Sequence, residues 1–233
     1  MRKQSGFTLI EIAIVLVIVG LLLGGVLKGQ ELITSARVRN LGTMQDGMKA
    51  AFFGFQDRFR ALPGDYTGAL AVANIAGVTA AVAGCAVTTG GGDGNGQIAA
   101  TGESIIAWEH LSKSGFITGS YVCAGTAAAA TNTPTNIYNA YVQIVYDAVY
   151  GTAATNRHNI KTGPSIPVGV IAELDRKIDD GNPYAGSFQF SIYSDPVGGA
   201  PAAPGANSCT TATTATSWNV SLGNTNCGGA SLL

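Results

Sequence analysis

Charge is scarce in this chain. Asp, Glu, Lys and Arg together make up 12% of its 233 residues, roughly half the share of an ordinary soluble domain. Histidine occurs only at His110 and His158, and neither has the neighbours that a catalytic or zinc-binding arrangement requires. There is no serine nucleophile elbow, phosphate-binding loop or HExxH helix, so the common hydrolase, nucleotide-binding and metallopeptidase chemistries lack their residues. The reading is a protein that is not an enzyme. The few charges are also unevenly spread: residues 1–60 carry a cationic excess and residues 61–233 an acidic one. The larger part therefore offers no basic stripe, and no nucleic-acid partner is evident.

Cysteine is sparse as well. Cys85, Cys123, Cys209 and Cys227 form no CxxC pair, which leaves a zinc site poorly supplied. An even number, all downstream of an apolar segment, reads as two disulfides in an oxidising compartment. Three connectivities are possible. The nearest-neighbour pairing, Cys85–Cys123 and Cys209–Cys227, is preferred because each bridge would staple one Gly/Thr-rich loop.

What the chain has in abundance is apolar residues, glycine and alanine. After the short basic stretch Met1 to Gly6, residues Phe7 to Leu27 are apolar except for Thr8, Glu11 and glycines, and Lys28 ends the run. As a helix this segment spans roughly 30 Å, the thickness of a bilayer's hydrocarbon core. Arg2 and Lys3 should hold the short end in the cytoplasm and send the rest outward. No small-residue cleavage site follows the run, so a conventional secretory signal fits poorly and an uncleaved anchor is the simplest reading. Glu11 disturbs it, because an ionised carboxylate at that depth costs about 3 kcal/mol on insertion scales. Either Glu11 snorkels to the headgroups, or it meets a cation. A free amine on Phe7 of a neighbouring subunit, created by cleavage after Gly6, would be suitable.

The stretch Lys3-Gln4-Ser5-Gly6-Phe7-Thr8-Leu9-Ile10-Glu11 resembles the processing site of the type IV pilin and type II secretion pseudopilin family. In that family a basic leader ends in Gly and precedes Phe-Thr-Leu-Ile-Glu and an apolar helix. The resemblance, strong over about the first 30 residues, implies cleavage between Gly6 and Phe7 by a prepilin peptidase, with N-methylation of Phe7 by the same enzyme. It further implies that Glu11 pairs with the Phe7 amine of an adjacent subunit during filament assembly on a membrane platform. Where the family often has a helix-bending proline just past the apolar run, this chain has none before Pro63. Gly20, Gly24, Gly25 and Gly29 could soften the helix instead, and their spacing also suits close helix approach in lipid.

Helical periodicity continues beyond Lys28. Leu41, Met44, Met48, Phe52, Phe55 and Phe59 recur at spacings of three and four and predict one apolar stripe. Leu62-Pro63-Gly64-Asp65 should end the helix near Ala61, giving one rod of roughly 80 Å from Phe7 to Arg60. Downstream, a short amphipathic helix is expected at Thr101–Lys113, with Thr101 as cap and Gly115 as stop. One or two strands are expected in Ile137–Tyr150, a helix at Pro167–Ile178, a half-buried strand at Ser187–Tyr193 and a final strand at Trp218–Leu222. Residues 66–100 show no clear period, and 76–100 and 196–217 read as large loops. The fold class is α+β, a long N-terminal helix packed on a small antiparallel sheet. Its divisions are a leader at 1–6, a transmembrane and assembly helix at 7–27, an amphipathic continuation at 28–62 and a head outside the cytoplasm at 63–233.

Two acidic stretches of the head are candidate metal sites. Asp93, Asn95 and Gln97 place oxygens at every second residue of Gly91-Gly92-Asp93-Gly94-Asn95-Gly96-Gln97, as calcium loops do, with Glu103 as a more distant carboxylate. The competing reading is an Asx-type turn. Asp175, Asp179 and Asp180 gather at a predicted helix end, where helix polarity disfavours anions. They read either as a solvated end that starts the Gly181-Asn182-Pro183 turn or as carboxylates offset by calcium or by Arg176 and Lys177. His110 is expected on a helix surface and His158 in a polar loop. Three functions compete: a filament subunit of a pilus or secretion pseudopilus, a tip adhesin whose loops bind a ligand, and a plain single-span protein. The first two share an inner-membrane precursor and subunits of the same family as partners.

Overall fold

The structure, a computed structural model, describes residues 8–78, 91–125, 127–151, 155–193, 206–211 and 216–233. Helix α1 runs from Leu9 to Phe59 without a break, as the absence of proline permits. It ends where Arg60 turns into the left-handed region at φ 55°, the conformation that commonly closes a helix. The chain separates into two compact units, Met1–Arg37 and Val38–Leu233. In the first, the large apolar side chains from Leu9 to Leu32 are exposed. This is the one stretch among the described residues long and apolar enough to cross a membrane.

In the second unit the remainder of α1 buries Val38, Leu41, Met48, Ala51, Phe52 and Phe55, with Met44 and Phe59 partly buried at the edge. The expected stripe is therefore a core face, and each fully buried member contributes about 1.5–3 kcal/mol. A four-stranded sheet is formed by β1 (Gln143–Asp147), β2 (Arg157–Lys161), β3 (Phe188–Phe190) and β4 (Gly229–Leu232), in the order β1-β2-β4-β3. All three pairings are antiparallel. Ile160 sits opposite both Ile144 and Ser231, and Ser231 opposite Phe188, so the last strand of the chain lies inside the sheet. Two clusters form the core. Phe52, Phe55, Trp108, Leu111, Ile144 and Ile160 belong to one; Leu41, Ile171, Leu174, Phe188, Phe190 and Trp218 belong to the other.

Helices α2 (Gly68–Asn74), α3 (Glu103–Lys113), α4 (Val168–Ile178) and α5 (Ala206–Cys209) complete the described elements, with a 3-10 turn at Val220–Leu222. Several expectations are corrected. Helix α3 is buried from Glu103 through Leu111, so it is not an amphipathic surface helix. Its N-cap is Gly102, with no side-chain cap, and not Thr101. Helix α2 falls in a stretch where the sequence shows no clear period. The strand expected at Trp218–Leu222 is a 3-10 turn, and Ile192 is exposed beyond the end of β3 rather than inward. Strands β2 and β4 were not anticipated. Gly-Ala-Ser-Leu has little strand propensity of its own. Its first residue is decided by packing, since a Cβ on Gly229 would stand 2.3 Å from the Phe188 ring.

Cys209 and Cys227 are joined, with S–S 2.11 Å across a sequence separation of 18. Closing a loop of that length stabilises a fold by about 3 kcal/mol in the chain-entropy account. Cys123 is also disulfide-bonded; its expected partner Cys85 lies outside the described residues, as do Gly6 and Phe7.

Candidate functional site

The start of α1 holds its polar groups in a reciprocal arrangement. Glu11 Oε2 accepts the Thr8 N–H at 2.8 Å and the Thr8 hydroxyl at 2.8 Å, while Thr8 Oγ1 accepts the Glu11 N–H at 3.3 Å. This is a capping box, in which two N-terminal donors of the helix find partners and the acid sits at the positive end of the helix dipole. The sequence carries the signal for it, Thr8-x-x-Glu11, at the start of the apolar run. No cation among the described residues lies within ion-pair distance of Glu11. Its charge is thus held by hydrogen bonds within its own helix turn. Lys28 and Glu31 form an exposed pair at 2.6 Å just past the apolar run.

In the head, Asp65 organises the loop at residues 91–97. Its Oδ1 accepts the Asn95 N–H at 3.0 Å and its Oδ2 the Gly96 N–H at 2.9 Å. Glu103 at the start of α3 accepts Asp93 N–H at 3.1 Å and Ala99 N–H at 2.8 Å. Gly64, at φ 91°, is required beside them, because a Cβ there would meet the Glu103 carbonyl oxygen at 2.4 Å. Burial raises the pKa of both carboxyls, opposed by these N–H donors. Of the residues expected to offer calcium ligands, Asp93 accepts from Asn95 through both oxygens, and Asn95 Oδ1 accepts the Gln97 N–H at 2.8 Å. The carboxylates gathered with Asp93 are Asp65 and Glu103, with one oxygen from each within 4.8 Å of the others. In the sequence Asp65 signals only the turn Leu62-Pro63-Gly64-Asp65 that ends the long helix.

Both histidines lie elsewhere than expected. His110 is fully buried in α3 rather than on a surface; its Nδ1 accepts the Gly64 N–H at 3.1 Å and its ring stacks parallel to Phe55. Accepting at Nδ1 places the proton of a neutral ring on Nε2. His158 is in β2, half-buried, with its ring 4.8 Å from Tyr146. Burial lowers its pKa.

Asp175, Asp179 and Asp180 do converge at the end of α4, with one oxygen of each within 4.8 Å of the others. The picture of a solvated end fails for Asp175, which is 0% exposed. Its Oδ2 accepts the Trp218 indole N–H at 2.7 Å, and its Oδ1 is shielded from solvent. Burial is the main reason its pKa is raised to about 6, with Asp180 and Asp179 adding to it and the indole opposing. The Gly181 N–H also favours the charged form. Asp179 Oδ2 accepts from Phe188 N–H at 2.8 Å and, in a closer contact, from Ser187 N–H. Asp180 Oδ1 accepts the Asn182 N–H at 2.8 Å.

Residues 1–27 match the family model described as the prokaryotic N-terminal methylation motif. That motif is the signature of type IV pilin-like and pseudopilin precursors. No curated protein and no solved structure matches the chain.

Proposed function

We propose that this chain is the precursor of a filament subunit, of a type IV pilus or a secretion pseudopilus, and that it polymerises through α1. The observation that carries the reading is the apolar half of α1, which the chain leaves without internal partners: from Leu9 to Leu32 its large side chains are exposed. In a precursor they meet lipid, and in a filament they meet the helices of neighbouring subunits. Different faces of one helix would then be in contact, so the interface is heterologous and propagates without closing. Lipid and helix interior are similarly apolar. Assembly then draws on close packing at small residues and on polar contacts between helices, and Glu11 is the one carboxylate in the apolar run.

In this reading a prepilin peptidase removes Met1 to Gly6 and methylates Phe7, and the new amine pairs with Glu11 of the adjacent subunit. Glu11 would then exchange its bonds to Thr8, or share them, when that amine arrives. N-terminal mass spectrometry of the native protein, combined with sedimentation of sheared cells, tests this directly. The expected result is a chain that begins at methylated Phe7 and sediments as a polymer. An intact Met1 on a membrane-bound monomer would leave a single-span anchor as the function.

A further inference from the structure

Two hollows adjoin at the end of α1. The larger, of about 600 Å³, has Phe59, Leu62 and Tyr66 among its walls and Gln56, Arg60 and Thr67 among its polar groups. The smaller, of about 320 Å³, is bordered by Phe53, Gln56, Asp57 and Arg60. Gln56 and Arg60 border both, and each hollow has an aromatic ring. Both volumes fall in the range of small-molecule sites, which combine apolar walls with a few convergent polar groups. The aromatic wall is held from behind. Phe59 lies 4.6 Å from Phe55 and 5.7 Å from Tyr66, and Asn74 donates to the Tyr66 hydroxyl at 3.0 Å.

Arg60 is the unusual member of this group. A helix stop in the left-handed region is usually given to glycine, because a Cβ there crowds the following carbonyl oxygen. Arg60 holds φ 55° nonetheless, and strain of this kind gathers at ligand clamps. Its one ion pair among the described residues is to Asp57 at 3.7 Å, with both side chains 83% exposed. A pair so open contributes little, and it leaves most of the guanidinium's donors for another partner. The other acid at the cleft, Asp65, is already employed, its two oxygens accepting the Asn95 and Gly96 N–H groups.

We propose that the head binds a saccharide carrying one carboxylate, with the acid held by Arg60 and the sugar rings laid on the aromatic walls of the two hollows. The paired N–H groups of a guanidinium match the two oxygens of a carboxylate. A sugar ring has an apolar C–H face and a polar edge. Phe59 and Tyr66 in one hollow, and the half-exposed Phe53 in the other, can take the face, while Gln56 and Thr67 can bond the edge. The number of charges follows from the surroundings. Residues 61–233 carry an acidic excess, which repels a polyanion, whereas a single carboxylate meets its counter-charge at Arg60. This binding lies in the head and does not depend on polymerisation through α1.

The full-length chain, in a detergent without a sugar headgroup, is titrated by calorimetry with cellobiouronic acid and with cellobiose. The two differ only in a carboxylate against a hydroxymethyl group. We expect saturable binding of the acid and at least about tenfold weaker binding of cellobiose, the loss that goes with a charge-assisted hydrogen bond. Arg60→Gly is the decisive variant. Glycine takes the left-handed conformation without strain, so the melting temperature should be unchanged or higher while affinity for the acid falls to that for cellobiose. Arg60→Lys keeps the charge, loses the fork and should fall between. The proposal is overturned if cellobiouronic acid gives no saturable heat at several millimolar, or if cellobiose binds as tightly. Wild-type affinity for the acid in Arg60→Gly also overturns it.

Discussion

At the scale of the residue, acids decide most of what is distinctive here, and each is decided by its surroundings. Glu11 has two separable attributes, a hydrogen-bond acceptor for Thr8 and a negative charge. Glu11→Gln keeps the first, because Gln also completes a capping box, and removes the second; Glu11→Ala removes both. If pairing with an amine drives assembly, both variants should yield few sedimentable filaments. If capping is what matters, only Glu11→Ala should fail, and counting filaments after shearing separates the cases. Asp175 gives a prediction in pH. Its folded pKa is raised from 3.8 to about 6, so across that interval the folded chain binds more protons than the unfolded one. Stability contributed by this group is therefore present at low pH and is lost as pH rises toward 6. Asp175→Asn should flatten this segment of the melting profile relative to wild type between pH 4 and 7. A profile unchanged by the substitution would show that the buried carboxyl titrates normally.

At the scale of the element, legibility tracks the length of the repeating pattern. Helix α1 was readable because its stripe recurs over many turns, and α4 because Val168, Ile171 and Leu174 fall on one side and are all buried. Helix α3 lies where its pattern predicts, but it is buried rather than amphipathic. Glu103, Glu109 and His110 look like a polar face, yet all three are buried, with Glu109 accepting the Cys123 N–H at 2.9 Å. Strand β2, Arg-His-Asn-Ile-Lys, reads as polar, and its Lys161 is nevertheless 1% exposed. What makes this possible is Asp147 on β1, which pairs with the Lys161 ammonium. Burial lowers the pKa of Lys161 and the Asp147 charge opposes that. Removing one partner of a buried pair leaves the other uncompensated. Asp147→Ala should therefore destabilise the head by about 3 kcal/mol in urea unfolding, and the double variant Asp147→Leu with Lys161→Met should recover much of the loss. Equal effects of the single and double changes would mean the pair is not coupled.

At the scale of the whole molecule, two units with different surfaces share one chain. Val38–Leu233 encloses both large core clusters, and the Met1–Arg37 unit exposes its apolar side chains. Residues 38–233 expressed alone should stay soluble and melt cooperatively, while the full chain should need detergent; aggregation of the shorter piece would show that the head depends on the preceding helix. The sequence by itself determined the processing motif, the apolar run, the helix that follows it and the α+β class, because each is a local pattern of consecutive residues. Only the tertiary structure decided that the Gly229–Leu232 segment is an inner strand, that Asp65 folds a distant loop and that Asp175 is buried beside Trp218. Those outcomes depend on which remote side chains come to surround a residue, and no local period encodes that.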